Sequence, residues 1–61
     1  MIDREEIIKE IEDTYRVSGN KAFWICLGYI KGVRRAQVIS SDLFQEMLDY
    51  NTAYDRKINH D

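Results

Sequence analysis

Apolar side chains recur at helical spacing in three stretches of this sequence, and the middle stretch almost gives up polar residues altogether. In the first, Ile8, Ile11 and Tyr15 follow one another at steps of three and four with Ile7 beside them, a narrow amphipathic stripe that predicts a helix over about residues 3–17. Asp3 opens it, with Glu6 at the capping-box distance. Glu5 with Lys9 and Glu12 with Arg16 are placed to pair along its surface. Ser18-Gly19-Asn20 closes it: glycine can take the left-handed conformation that ends a helix, and asparagine can cap the next one.

From Ala22 to Ile30 nine consecutive residues are apolar or glycine. A short apolar run is ambiguous between strand and helix by periodicity alone. This one continues through Val33 and Ala36, too long for a typical strand, and Arg34 and Arg35 complement a helix C-terminus; a helix over residues 20–36 is therefore expected. At about 100° per residue, Phe23, Cys26, Leu27, Ile30 and Val33 gather on a core face. Trp24, Gly28, Lys31, Gly32 and Arg35 gather on the far face, with Ile25 at its border. Two readings of Trp24 stand open at this point: ordinary core beneath a third helix, or an anchor for another protein.

The third stretch predicts a helix over residues 41–57. With Ser40 as N-cap, Ile39 and Phe44 occupy the positions of a hydrophobic staple. Phe44, Met47 and Leu48 form a stripe that continues towards Tyr54 and Ile58, flanked by Leu43 and Tyr50. Asn51 falls in the middle of that stripe and calls for a hydrogen-bonding partner. Lys57 to Asp61 are expected to fray. The segment Ala36 to Phe44, AQVISSDLF, is similar to the helical hairpin of short C-terminal oligomerisation domains, which carry a glycine, two aliphatics, Ser or Thr, and an aromatic four residues on. Gln37 stands where those domains have glycine; over these nine residues the resemblance implies a helical hairpin.

The expected fold is all-α, a small three-helix bundle built of a helical hairpin plus a third helix, in one domain over residues 1–61. Composition adds the question of what stabilises it. A chain of 61 residues buries only ~60% of the surface it exposes when unfolded, and such a core rarely supplies more than ~3–5 kcal/mol. Cys26 is the only cysteine, so no disulfide forms within the chain. A closed zinc site needs about four ligands, and Cys26 and His60 are the only soft candidates; neither a metal nor a cofactor is expected. Association with itself, as a homodimer or higher, or with a larger protein is the remaining route. A lone cysteine in an apolar run fits packing and a reducing compartment. The acidic opening MIDREE is unlike a signal peptide, and the apolar run is about half the ~20 residues of a membrane span. A cytoplasmic protein is expected.

Charge is segregated. Residues 3–13 carry six acids and two bases, residues 14–37 five bases and no acids, and residues 38–61 five acids and two bases, which gives −4, +5 and −3 and the overall −2. Antiparallel packing is expected to bring Lys31, Arg34 and Arg35 towards Asp3, Glu5, Glu6 and Asp42, so that the basic cluster is largely neutralised within the chain. Nothing pairs His60 with Cys26 for nucleophilic catalysis, and G-Y-I-K-G lacks phosphate-loop spacing. No enzymatic activity is expected. Two helices joined by a short turn are also the frame of a helix-turn-helix, but a third helix that begins with Asp42 and carries Glu46 would set carboxylates against phosphate. The expected function is therefore a non-enzymatic protein-interaction module, a small regulator or inhibitor of the kind phages and mobile elements carry, which binds and occludes a larger protein. A DNA-binding regulator of helix-turn-helix type and a structural subunit of a larger assembly are the alternatives. The expected interface is Trp24, Gly28, Lys31, Gly32 and Arg35.

Overall fold

The computed structural model describes residues 2–59, and these are helical nearly throughout, with no strand among them. Three α-helical segments, α1 (Arg4–Ser18), α2 (Ala22–Arg35) and α3 (Ser41–Asn59), lie in only two helical runs. That corrects the picture of three helices set apart by turns. A single 3-10 turn, Gly19–Lys21, carries α1 directly into α2. Gly19 takes φ 59° and its N–H caps the carbonyl of Tyr15, a backbone state that glycine adopts without steric penalty. Asn20 lies inside this turn and does not cap α2, whose N-cap, Lys21, makes no side-chain capping bond.

The other helix ends follow the sequence closely. Asp3 accepts a hydrogen bond from the Glu6 amide at 3.0 Å, and the Ser40 hydroxyl accepts one from the Leu43 amide at 3.1 Å. Between α2 and α3, Val38 N–H reaches the Val33 carbonyl and Gln37 N–H that of Arg34, at 3.2 and 3.0 Å. This is the paired bonding of a Schellman cap, with Val38 and Val33 in its hydrophobic positions. Gln37 holds the left-handed position at φ 62°, where glycine is the usual occupant. α3 continues through Lys57 to Asn59 rather than fraying there; His60 and Asp61 lie outside the described residues.

At 1.5 Å per residue, the 19 residues of α3 cover about 28 Å, most of the 34 Å long axis. Both other helices lie along it. Its Tyr50 hydroxyl donates to Glu12 of α1 at 2.8 Å, and Arg4 of α1 pairs with Glu46, so α1 and α3 run in the same direction. α2 runs against both, with Asn51 reaching the Phe23 carbonyl near its start and Arg34, near its end, donating to Ser41.

The core is Ile7, Ile11 and Tyr15 from α1, Ala22, Cys26, Ile30 and Val33 from α2, Ile39 from the connection and Met47 from α3. The α1 stripe centres on Ile7 rather than Ile8, which is half-buried. On α2, Ala22 replaces Phe23 and Leu27, both half-buried, in the fully covered row. Ala22 follows the tight 3-10 turn, where the two helices are joined without a loop and a small side chain suits the close approach. Asn51, 1% exposed, finds its partners: the Tyr15 hydroxyl donates to Asn51 Oδ1 at 2.9 Å, and Asn51 Nδ2 donates to the Phe23 carbonyl at 3.2 Å. Burial pushes the Tyr15 pKa well up, which keeps that hydroxyl a neutral donor. One side chain thus ties all three helical segments together.

Candidate interaction surface

The far face of α2 is uncovered. Trp24 is 71% exposed and Ile25 51%, and Gly28, Lys31, Gly32 and Arg35 are all exposed beside them. The reading of Trp24 as ordinary core therefore does not hold. The physical reason is the number of neighbours: α1 and α3 cover the arc of α2 that holds Ala22, Cys26, Ile30 and Val33, and no further element lies opposite. The indole ring meets the Phe23 ring edge-on, with centroids 5.1 Å apart at 84°, and Phe23 packs against the core.

The glycines leave the helix backbone bare. A Cβ built on Gly28 or on Gly32 would meet no atom within 4 Å, so nothing in the fold requires a residue without a side chain there. Each glycine in an exposed helix interior costs about 1 kcal/mol relative to alanine. What a bare strip of backbone does provide is access for a second backbone at close range.

Among the described residues Lys31, Arg34 and Arg35 form no ion pair; the pairs present are Arg4 with Glu5 and Glu46, and Arg16 with Asp13. None of Asp3, Glu5, Glu6 and Asp42 makes a contact ion pair with these cations; Glu5 pairs with Arg4, and Arg34 donates to the Ser41 hydroxyl at 2.9 Å. Nor do Glu5 with Lys9 or Glu12 with Arg16 pair; Glu12 accepts from Tyr50 instead. Lys31, Arg34 and Arg35 line an open concavity of about 500 Å³ with Gln37 and Phe44. On the other flank, Ile25 and Val17, the latter 81% exposed, line a groove of about 270 Å³ with Glu10 and Asp13. Val17 carried no signal in the sequence, since it falls off the stripe of Ile7, Ile11 and Tyr15.

No group of three or more His, Cys, Asp or Glu side chains able to hold a metal ion occurs among the described residues. Cys26 is buried, and burial pushes its thiol pKa up, away from the thiolate that nucleophilic or redox work needs. His60 lies outside the described residues. No described helix is long and apolar enough to cross a membrane. No family model, no curated protein and no solved structure matches the chain.

Proposed function

We propose that the protein is a non-enzymatic, all-helical interaction module, a small regulator or inhibitor that works in the cytoplasm by laying the outer face of α2 on a larger protein and occluding it. The observation that carries this reading is Trp24, 71% exposed and edge-on to Phe23, beside two exposed glycines where an added Cβ would meet no neighbour within 4 Å. Contact energy between proteins concentrates in such aromatic anchors, often about 2 kcal/mol or more each. Self-association is a second reading, favoured by the size of the fold: so small a core gains stability when an exposed apolar surface is covered.

Gly28→Leu tests both. A Cβ at this exposed position meets no neighbouring atom within 4 Å and leucine improves helix propensity by about 0.8 kcal/mol, so the melting temperature should hold or rise. Contact through the bare strip should be blocked by the added bulk. Sedimentation of the chain alone and co-sedimentation with proteins captured from its native host report the outcome. Unchanged association in the Gly28→Leu variant would move the contact to another surface.

A further inference from the structure

The outer face of α2 has a repeat and a charge, and together they describe its occupant. Lys21, Trp24, Gly28, Lys31 and Arg35 recur at steps of three, four, three and four, and Ile25 and Gly32 fall alongside at the same spacing. A seven-residue repeat of this kind is the geometry by which one helix packs lengthwise on another. All of these residues are exposed, so the whole seam is open from the 3-10 turn to the end of α2.

Every charged position on the seam is a cation, and no Asp or Glu occurs anywhere between residues 14 and 41. Laying α2 of a second copy against it sets cations against one another in either direction, at every charged position when parallel and at Lys21 and Arg35 when antiparallel. About the midpoint of the seam, for example, an antiparallel pair would bring Lys21 against Arg35. Like charges facing each other across an interface are strongly unfavourable. The seam is instead complementary to carboxylates, with Arg34 adding a further cation beside it in the concavity shared with Phe44.

We propose that the α2 face is the docking seam for an amphipathic acidic helix of a partner protein, with an apolar side chain against Trp24 and Ile25 and carboxylates against Lys31 and Arg35. Trp24 and Arg35 are eleven residues apart, about 16 Å along the helix, so the partner helix needs at least three turns with its acids gathered towards one end. This deepens the interaction reading given above and rests on it.

Trp24 is the only tryptophan in the chain, which makes its emission a direct report of the seam. The full chain is titrated with two synthetic peptides of about four turns that lack tryptophan and share one leucine stripe, one flanked by glutamates and the other by lysines. The glutamate peptide should shift Trp24 emission to shorter wavelength and bind at least ~10-fold tighter than its lysine twin. The double variant Lys31→Glu, Arg35→Glu should reverse that preference, with circular dichroism unchanged because both side chains are exposed. Equal binding of the two peptides would overturn the acidic partner and leave the protein-docking reading standing. No shift with either peptide up to ~1 mM would remove both. A shift driven by the protein's own concentration would make the occupant a second copy. A shift produced by random duplex DNA or by anionic phospholipid vesicles, but not by the glutamate peptide, would assign the cations to phosphate; either result overturns the proposal.

Discussion

Phe23 and Trp24 are neighbours on α2 with opposite surroundings. Phe23 packs against the core and its carbonyl receives Asn51, whereas Trp24 stands 71% exposed. The two faces of the helix differ in the same way. The inner one carries Ala22, Cys26, Ile30 and Val33, all buried; the outer one carries an aromatic, two bare glycines and cations that no acid of the described residues pairs with. Both are apolar enough to be core in a larger fold. The lesson is that hydrophobicity marks what a surface can do, and the supply of neighbouring elements decides what it does.

The comparison can be broken most forcefully on the inner face. Ile30 is fully buried, and truncation of such a side chain costs about 2–5 kcal/mol. That is most or all of the ~3–5 kcal/mol a core of this size supplies, so Ile30→Ala should be largely unfolded at 25 °C by circular dichroism. A well-folded Ile30→Ala variant would mean that the inner face is not the structural one.

Next in size is the polar tie at the centre. Asn51→Ala removes the shorter of two bonds of the Tyr15 hydroxyl, leaving it the 3.3 Å contact with the backbone carbonyl of residue 51, and removes the donor to the Phe23 carbonyl, at a cost of roughly 1–2 kcal/mol. The urea midpoint should fall accordingly, and Tyr15→Phe combined with Asn51→Ala should cost less than the sum of the two single changes.

A smaller effect, of opposite sign, is expected at the turn between α2 and α3. Gln37 at φ 62° bears the left-handed penalty of about 1–2 kcal/mol that glycine escapes, partly offset by the entropy glycine loses on folding. Gln37→Gly should therefore stabilise the fold by about 0.5–1 kcal/mol, read as a higher melting temperature.

The smallest change in stability belongs to the outer face. Trp24→Ala should change the unfolding free energy read from urea titration by no more than about 0.5 kcal/mol, as exposed positions do. A loss comparable to that of Ile30→Ala would erase the distinction between the two faces and with it the proposed surface.

Much of this was legible in the residues alone. Asp3 and Ser40 cap helices because their side-chain oxygens satisfy amides that helix geometry leaves unpaired wherever the chain runs. Gly19 ends α1 for an equally local reason. The grouping of Trp24, Gly28, Lys31, Gly32 and Arg35 on one side of a helix follows from 3.6 residues per turn. The pairing of charges was not legible. Arg4 and Glu12 had partners available within their own helix and Arg34 had no acid within its own, yet Arg4 bridges to Glu46 as well as Glu5, Arg34 turns to Ser41 and Glu12 takes the hydroxyl of Tyr50. Exposed ion pairs differ by fractions of a kcal/mol, so helix placement selects among them.

The sequence by itself determined that the chain is helical, where α1 and α3 begin and α1 ends, and which residues share a face, since periodicity, capping and the conformational freedom of glycine act over a few residues. Only the tertiary structure decided which faces are covered. Whether α3 lies over Trp24 or over Ile30 leaves every local preference unchanged. It is settled by the packing of Ile7, Ile11, Ile30 and Met47 and by the demand of a buried Asn51 for Tyr15 and the Phe23 carbonyl, interactions between residues far apart in the chain that no local pattern encodes.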